Sequence, residues 1–138
     1  MSLTFRYKTI ERPDPLPPAV SPMIPVTLRA KERLDVLALL DSGADTTAFS
    51  KDIAELIGAD LSGKRETIDG IGGQVEAVEA GIWIIVQKGH EKYHIRTKAK
   101  VILEDREDFP IIIGRMDFFE SFNITFKEKD RRIVLKKA

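Results

Sequence analysis

The chain has no cysteine among its 138 residues. Disulfide staples, zinc–thiolate sites and a cysteine nucleophile are thereby excluded, and a reducing compartment is permitted. Neither sign of charge is in excess, with 22 Lys and Arg against 22 Asp and Glu. That balance gives no electrostatic reason to expect a nucleic acid or an anionic membrane as partner. Long apolar runs are missing as well. The longest, such as 82–86, fall far short of the ~20 residues that cross a bilayer. The first residues, MSLTFRYKTIERPDP, alternate apolar and charged types and contain no apolar signal core, so a cytoplasmic location is the default expectation. Aromatics make up only 7% of the chain, and the single tryptophan, Trp83, reads as core or barrel surface.

What is present suits one globular domain: 43% hydrophobic and 32% charged residues on a chain long enough for a single core. Six of the seven prolines fall between Pro13 and Pro25. Each ring fixes φ and removes a donor, so residues 1–22 are expected to form an extended, irregular arm, with the compact domain at 23–138.

From Ile24 onward the pattern is mostly strand. Apolar or alternating runs at 24–28, 33–40, 64–69, 74–86, 93–103 and 109–113 are separated by polar or glycine turns. A closing hairpin follows, with strands at 122–126 and 131–135. Two short helices interrupt them. Ser50 is a suitable N-cap, Ile53, Leu56 and Ile57 form a face, and Gly58 suits the position after the last turn. A second helix is expected over 115–121, with Met116, Phe118 and Phe119 apolar. Many short strands with one or two short helices imply an all-β fold, a small closed barrel.

The strongest chemical signal lies in LDVLALLDSGADTTAFS. A buried strand delivers Asp41 to its end, and Ser42, Gly43 and Ala44 turn the chain sharply. A carboxylate there stands on a rigid support at the edge of a core, the placement that functional acids need. The Ser42 hydroxyl can lock the turn, and Gly43 admits a second backbone at close range. Asp, Ser and Gly are also common turn formers, and a D-[ST]-G-[AS] string arises by chance in ~1% of chains this long. The apolar run before it separates the two readings, because surface turns seldom end a buried strand.

A second segment, Thr67-Ile68-Asp69-Gly70-Ile71-Gly72-Gly73-Gln74, is a glycine-rich hairpin tip. It partly mimics a dinucleotide fingerprint, but the third glycine is replaced by Val75 and a strand pattern follows instead of a helix. A loop closing over an extended substrate accounts better for the glycines. The third segment, Phe109 to Arg115, places three isoleucines before Gly114 and is expected to pack behind the Asp41 turn.

ALLDSGADTT, the IDGIGG tip and IIIGR, in this order, resemble the retropepsin-like aspartic proteases over roughly residues 23–135. The resemblance implies a retropepsin-type barrel in which Asp41 is catalytic and Ser42 makes a hydroxyl-to-backbone lock across subunits. Gly43 and Asp45 would bind the substrate main chain, while Ile68, Asp69, Gly70, Ile71, Gly72 and Gly73 form a flap. It also implies an ion pair between Asp45 and Arg115 that braces the active-site loop.

Peptide hydrolysis of this kind uses two carboxylates, one activating water and one donating a proton. The chain has a single Asp-Ser-Gly. The clusters at 104–108 and 128–130 sit in polar loops and read as solvated turns. A second Asp41 must then come from a symmetry mate, giving a homodimer with the site on its two-fold axis and a peptide or protein as substrate. His90 and His94 have a zinc-compatible spacing only on a helix, whereas their surroundings read as turn and strand, so no metal and no cofactor is expected. Ser42 has no histidine placed for a triad. The competing function is a retropepsin-fold module that binds peptides or dimerises and cleaves little or nothing.

Overall fold

The computed structural model describes residues 1–70, 73–104 and 109–138. Residues 105–108 of the acidic cluster, and Ile71 and Gly72 of the glycine-rich tip, lie outside them. Period-two alternation becomes strands β1 (Ser2–Arg6), β2 (Lys8–Ile10), β3 (Ala19–Ser21), β4 (Met23–Arg29), β5 (Arg33–Leu40) and β6 (Ala48–Ser50). Helix α1 (Lys51–Ile57) follows, then β7 (Arg65–Gly70), β8 (Gly73–Lys88), β9 (Glu91–Ile102), β10 (Ile112–Ile113), β11 (Phe122–Lys127) and β12 (Arg132–Lys137).

Seven strands form one sheet in the order β4-β5-β10-β6-β9-β8-β7, and β4 also pairs with β8. That extra ladder joins Thr27, Leu28 and Arg29 to Ile85, Ile84 and Trp83, closing a ring of pairings with β7 outside it. The long β8–β9 hairpin is the backbone of the sheet, running from Ala77 opposite Ile102 to Lys88 opposite Glu91. Inside the ring lie fully buried Ile24, Leu28, Phe49, Ile82, Ile84, Val101 and Ile113. At ~25 cal/mol per Å² of apolar surface removed from water, such side chains contribute about 1.5–3 kcal/mol each.

The proline-rich segment is more ordered than its composition suggests. β1 pairs antiparallel with β12, and the alternation in its sequence buries Leu3, Phe5 and Tyr7 within the core. β12 pairs on its other edge with β11, so the two chain ends and the closing hairpin make a three-stranded sheet, β1-β12-β11. Burial, and then Glu128, whose carboxylate accepts the hydroxyl hydrogen bond, raise the pKa of Tyr7. β2 and β3 form a separate hairpin around the prolines. Phe5 is 5% exposed, and Phe5→Ala is expected to cost about 3–5 kcal/mol. Urea titration reads this directly, and a loss below about 1 kcal/mol would contradict the burial of β1.

α1 is present where the capping pattern places it, and Gly58 ends it in the left-handed conformation, φ 65°. Its inner face differs from the sequence reading: Ala54 and Ile57 are buried, while Leu56 is 62% exposed. Ser50 occupies the N-cap position without a side-chain capping bond. The expected helix over 115–121 is not regular. Met116 has ψ 130° and Asp117 has φ 66°, so the chain kinks there before entering β11. The apolar stretch 109–113 also forms less strand than expected, because only Ile112 and Ile113 pair.

Candidate active site

β5 carries Asp41 out of the core, and its last residues are held by the chain that leads into β10. Ile112 and Ile113 pair in parallel with Leu39 and Leu40. The amide of Leu39 donates to the Ile111 carbonyl at 2.8 Å, and that of Asp41 donates to the Ile113 carbonyl at 3.0 Å. On its other side, the amide of Leu40 donates to the Pro22 carbonyl at 3.1 Å. The carboxylate-bearing residue therefore has a backbone fixed by β10, which is what a precisely positioned acid or base requires.

The turn beyond it is built from its own polar atoms. Gly43 N–H donates to Asp41 Oδ1 at 2.9 Å, and Ala44 N–H donates to the Asp41 carbonyl at 3.1 Å. Asp41 is half-buried, whereas Ser42 and Gly43 are exposed. The loop then runs beside the segment after β10. Arg115 N–H donates to the Ala44 carbonyl at 2.9 Å and Met116 N–H to the Asp45 carbonyl at 2.8 Å. These two contacts give the kink after Gly114 a cause, since its first amides face the Asp41 loop.

Arg115 and Asp45 form the ion pair that the motifs imply, through Arg115 Nη2 and Asp45 Oδ1. Both side chains are largely exposed, so the pair is worth no more than about 1 kcal/mol of stability. Its value lies in orienting the loop. Gly114 supplies the tightest approach: a Cβ there would lie 2.4 Å from the Thr46 carbonyl carbon and 2.7 Å from its nitrogen. Thr47, fully buried, accepts the Gly114 N–H on its hydroxyl at 3.3 Å.

A cavity of about 450 Å³ opens beside the loop. Ala44, Asp45, Thr46 and Ala48 form one wall, and Ile68, Asp69, Gly73 and Val75 of the β7–β8 hairpin face them. Ile102, Phe109 and Ile112 close the apolar floor. Its size is within the ~300–1,000 Å³ range of small-ligand and side-chain pockets. In the hairpin, Ile68 pairs with Val75, Asp69 with Gln74 and Gly70 with Gly73. Its base is tied down by Lys100 of β9, which reaches both Glu66 and Glu79. The hydrogen bond to Glu66, ahead of the opposing effect of burial, raises the Lys100 pKa.

The structure thus brings together Asp41, Ser42, Gly43, Ala44, Asp45 and Arg115, with Ile68, Asp69 and Gly73 across the cavity. Sequence reasoning placed Thr47, Phe109 and Ile112 inside its motif segments and Val75 in the strand after the glycine-rich tip, but gave none of them a place at the site. Nothing in the sequence alone says that these side chains meet. Among the described residues no cluster of three or more His, Cys, Asp or Glu could hold a metal ion. None of the described helices is long and apolar enough to cross a membrane.

No family model and no curated protein matches the chain. Solved structures do. The protease of EIAV, in complex with an inhibitor, is 30% identical over 69% of this chain and 82% of its own, with a TM-score of 0.48. A retropepsin-like aspartic protease from Rickettsia conorii is 15% identical, but covers 98% of both chains with a TM-score of 0.58. The Rickettsia structure shows a shared fold along almost the whole length. The chain has the all-β retropepsin fold, the fold of the solved retropepsin-like aspartic proteases it resembles.

Proposed function

We propose that the chain is an aspartic endopeptidase in which two copies of Asp41, one from each subunit of a homodimer, share the hydrolysis of a peptide bond. The observation that carries this reading is the Asp41 loop itself. A carboxylate fixed through its backbone by β10 stands half-buried next to exposed Ser42 and Gly43, at the head of a loop whose Ala44 and Asp45 line the largely apolar cavity.

In the dimer one Asp41 takes a proton from water as it attacks the carbonyl carbon, and the other donates a proton to the carbonyl oxygen. Collapse of the tetrahedral intermediate breaks the C–N bond, with a proton delivered to the leaving nitrogen. Gly43 and Asp45 hold the extended substrate main chain, and the β7–β8 hairpin, residues 68–73, closes over it as a flap. The cavity beneath takes an apolar substrate side chain. Ser42 makes its lock to the facing loop across the two-fold axis.

A subunit-mixing experiment tests the shared site. Wild-type chains are equilibrated with a ninefold excess of Asp41→Asn chains, and peptide cleavage is measured. Random pairing leaves about a tenth of wild-type chains with a wild-type mate, so activity per wild-type chain should fall about tenfold. Unchanged activity per wild-type chain would mean that one subunit suffices. Arg115→Ala is expected to lower kcat/KM about tenfold through loss of loop orientation. Its effect on unfolding free energy should stay within about 1 kcal/mol. Parallel kinetics and melting curves separate the two effects.

A further inference from the structure

Formal neutrality hides a marked separation of charge on the outer face of the sheet. Period-two alternation puts Lys92, His94, Arg96, Lys98 and Lys100 on one side of β9, away from buried Ile95, Thr97 and Ala99. Alternate residues of a strand lie about 6.8 Å apart, so the stripe runs for about 27 Å. Its neighbours across the sheet extend it. Arg96 is opposite Trp83 of β8, Trp83 is opposite Arg29 of β4, and Arg29 is opposite Arg33 of β5.

On the four strands this face has six cations and two carboxylates, Asp35 and Glu79, while Glu66 of β7 reaches Lys100 and Asp117 lines the same cavity as Arg96 and Lys98. Glu79 is occupied by Lys98 and Lys100, and Asp35 accepts the hydroxyl of Thr27. Among the described residues, no carboxylate pairs with Arg29, Arg33, Lys92 or Arg96. Four cations without a direct ion pair among the described residues, on a face where cations outnumber carboxylates, are a local field that the net charge does not reveal.

The centre of the stripe is planar as well as basic. The guanidinium carbons of Arg29 and Arg96 each lie 5.6 Å from the Trp83 ring centroid, with the His94 ring edge-on at 6.5 Å. Gly81 leaves the space that Arg96 uses, since a Cβ there would meet Arg96 Nη2 at 2.4 Å. Arg29 Nε is buried with no acceptor. A guanidinium stacked on an aromatic ring keeps its in-plane N–H groups for an oxyanion and offers its outer face to another planar group.

We propose that this face of the β4–β8–β9 sheet binds single-stranded nucleic acid, with Arg29, Arg33, Lys92 and Arg96 on phosphates and bases laid against the Arg–Trp–Arg stack. Basic residues in register with a backbone, together with planar stacking surfaces, are the features by which proteins hold single strands without reading sequence. An acidic peptide would meet the same charges but leave the stacked planes unused. The site lies outside the Asp41 cavity and is independent of the peptidase reading.

The test uses the full chain and a fluorescein-labelled twelve-nucleotide uridine strand, followed by anisotropy and by the emission of Trp83, the sole tryptophan. Saturable binding with Trp83 quenching is expected at low salt. Four phosphate contacts give a log–log salt slope of about −2.8, or an affinity about fiftyfold lower at 200 mM than at 50 mM salt. The double variant Arg33→Glu, Arg96→Glu should bind at least about tenfold more weakly. A control with Lys127→Glu and Lys129→Glu, on the distant hairpin, should bind as the parent does. If the first pair fails to fold, Lys92→Glu at its exposed position should still weaken binding. No saturable binding at 50 mM salt, equal losses in both double variants, or a polyglutamate peptide that binds as tightly and displaces the strand would each overturn the proposal.

Discussion

Asp41→Asn is expected to lower peptide cleavage by about 10⁴-fold or more, because positioned acid and base groups each contribute about 10²–10⁴ and both positions of the pair change together. The fold should be untouched. Asn retains the Oδ1 that accepts the Gly43 N–H at 2.9 Å, and the backbone of residue 41 remains bound to Ile113. Circular dichroism and melting temperature should match the parent. The assay is cleavage of a mixed peptide library between mildly acid and neutral pH, with both proteins side by side. Cleavage that persists in Asp41→Asn would place the chemistry elsewhere. A parent that binds peptides and cleaves none would favour the binding module.

Gly114→Ala should have the largest structural effect of any single added methyl group near the site. The backbone conformation of Gly114, φ −92° and ψ −177°, is open to any residue, so the constraint is space. The missing Cβ position lies against the carbon, oxygen and nitrogen of Thr46 at 2.4, 2.5 and 2.7 Å. These are main-chain atoms and cannot rotate away. Relief requires separating the Asp41 loop from the segment after β10, which breaks the Gly114–Thr47 bond and disturbs the Arg115–Ala44 contact. Overpacking of this kind costs about 1–3 kcal/mol or more, which lowers the melting temperature on the order of 10 °C. Catalysis should fall further than stability alone explains. Gly89→Ala is the control. It has φ 62° with nothing within 4 Å of its missing Cβ, so it should lose only about 1–2 kcal/mol of backbone preference and keep its activity. A Gly114→Ala protein as stable and active as the parent would refute the close packing.

The parts of this structure that were legible in sequence are those decided by local chemistry. β5 and the Asp41 turn follow from an apolar run ended by Asp, Ser and Gly. α1 ends at Gly58 as its left-handed preference requires, and the β8–β9 hairpin follows from alternation broken at Gly89. Asp45 and Arg115, 70 positions apart, were paired through the motif resemblance, and they meet in the structure.

The features that escaped depend on distant partners. Leu3, Phe5 and Tyr7 alternate visibly, yet they become strand only because β12, more than a hundred residues on, supplies the other half of the ladder. Residues 115–121 have the composition of a helix, but Arg115 and Met116 direct their amides to Ala44 and Asp45, and the turn kinks instead. Phe109 to Ile113 look like one buried strand, yet the ladder has room for two residues. The basic stripe on β9 was present as alternation. Its meaning was hidden because the opposing acids lie elsewhere on the molecule and cancel it in the total.

The sheet made by the chain ends bears on how such an enzyme would be governed. β12 has both edges filled by its own chain, β1 on one side and β11 on the other, so this sheet forms within a single protomer. Many obligate assemblies have no stable folded subunit, and for them scarcity means unfolding. Here, under the shared-site reading, scarcity would leave an intact but idle protein. While pairing stays weak, turnover would rise with the square of abundance, and expression level itself would act as the switch.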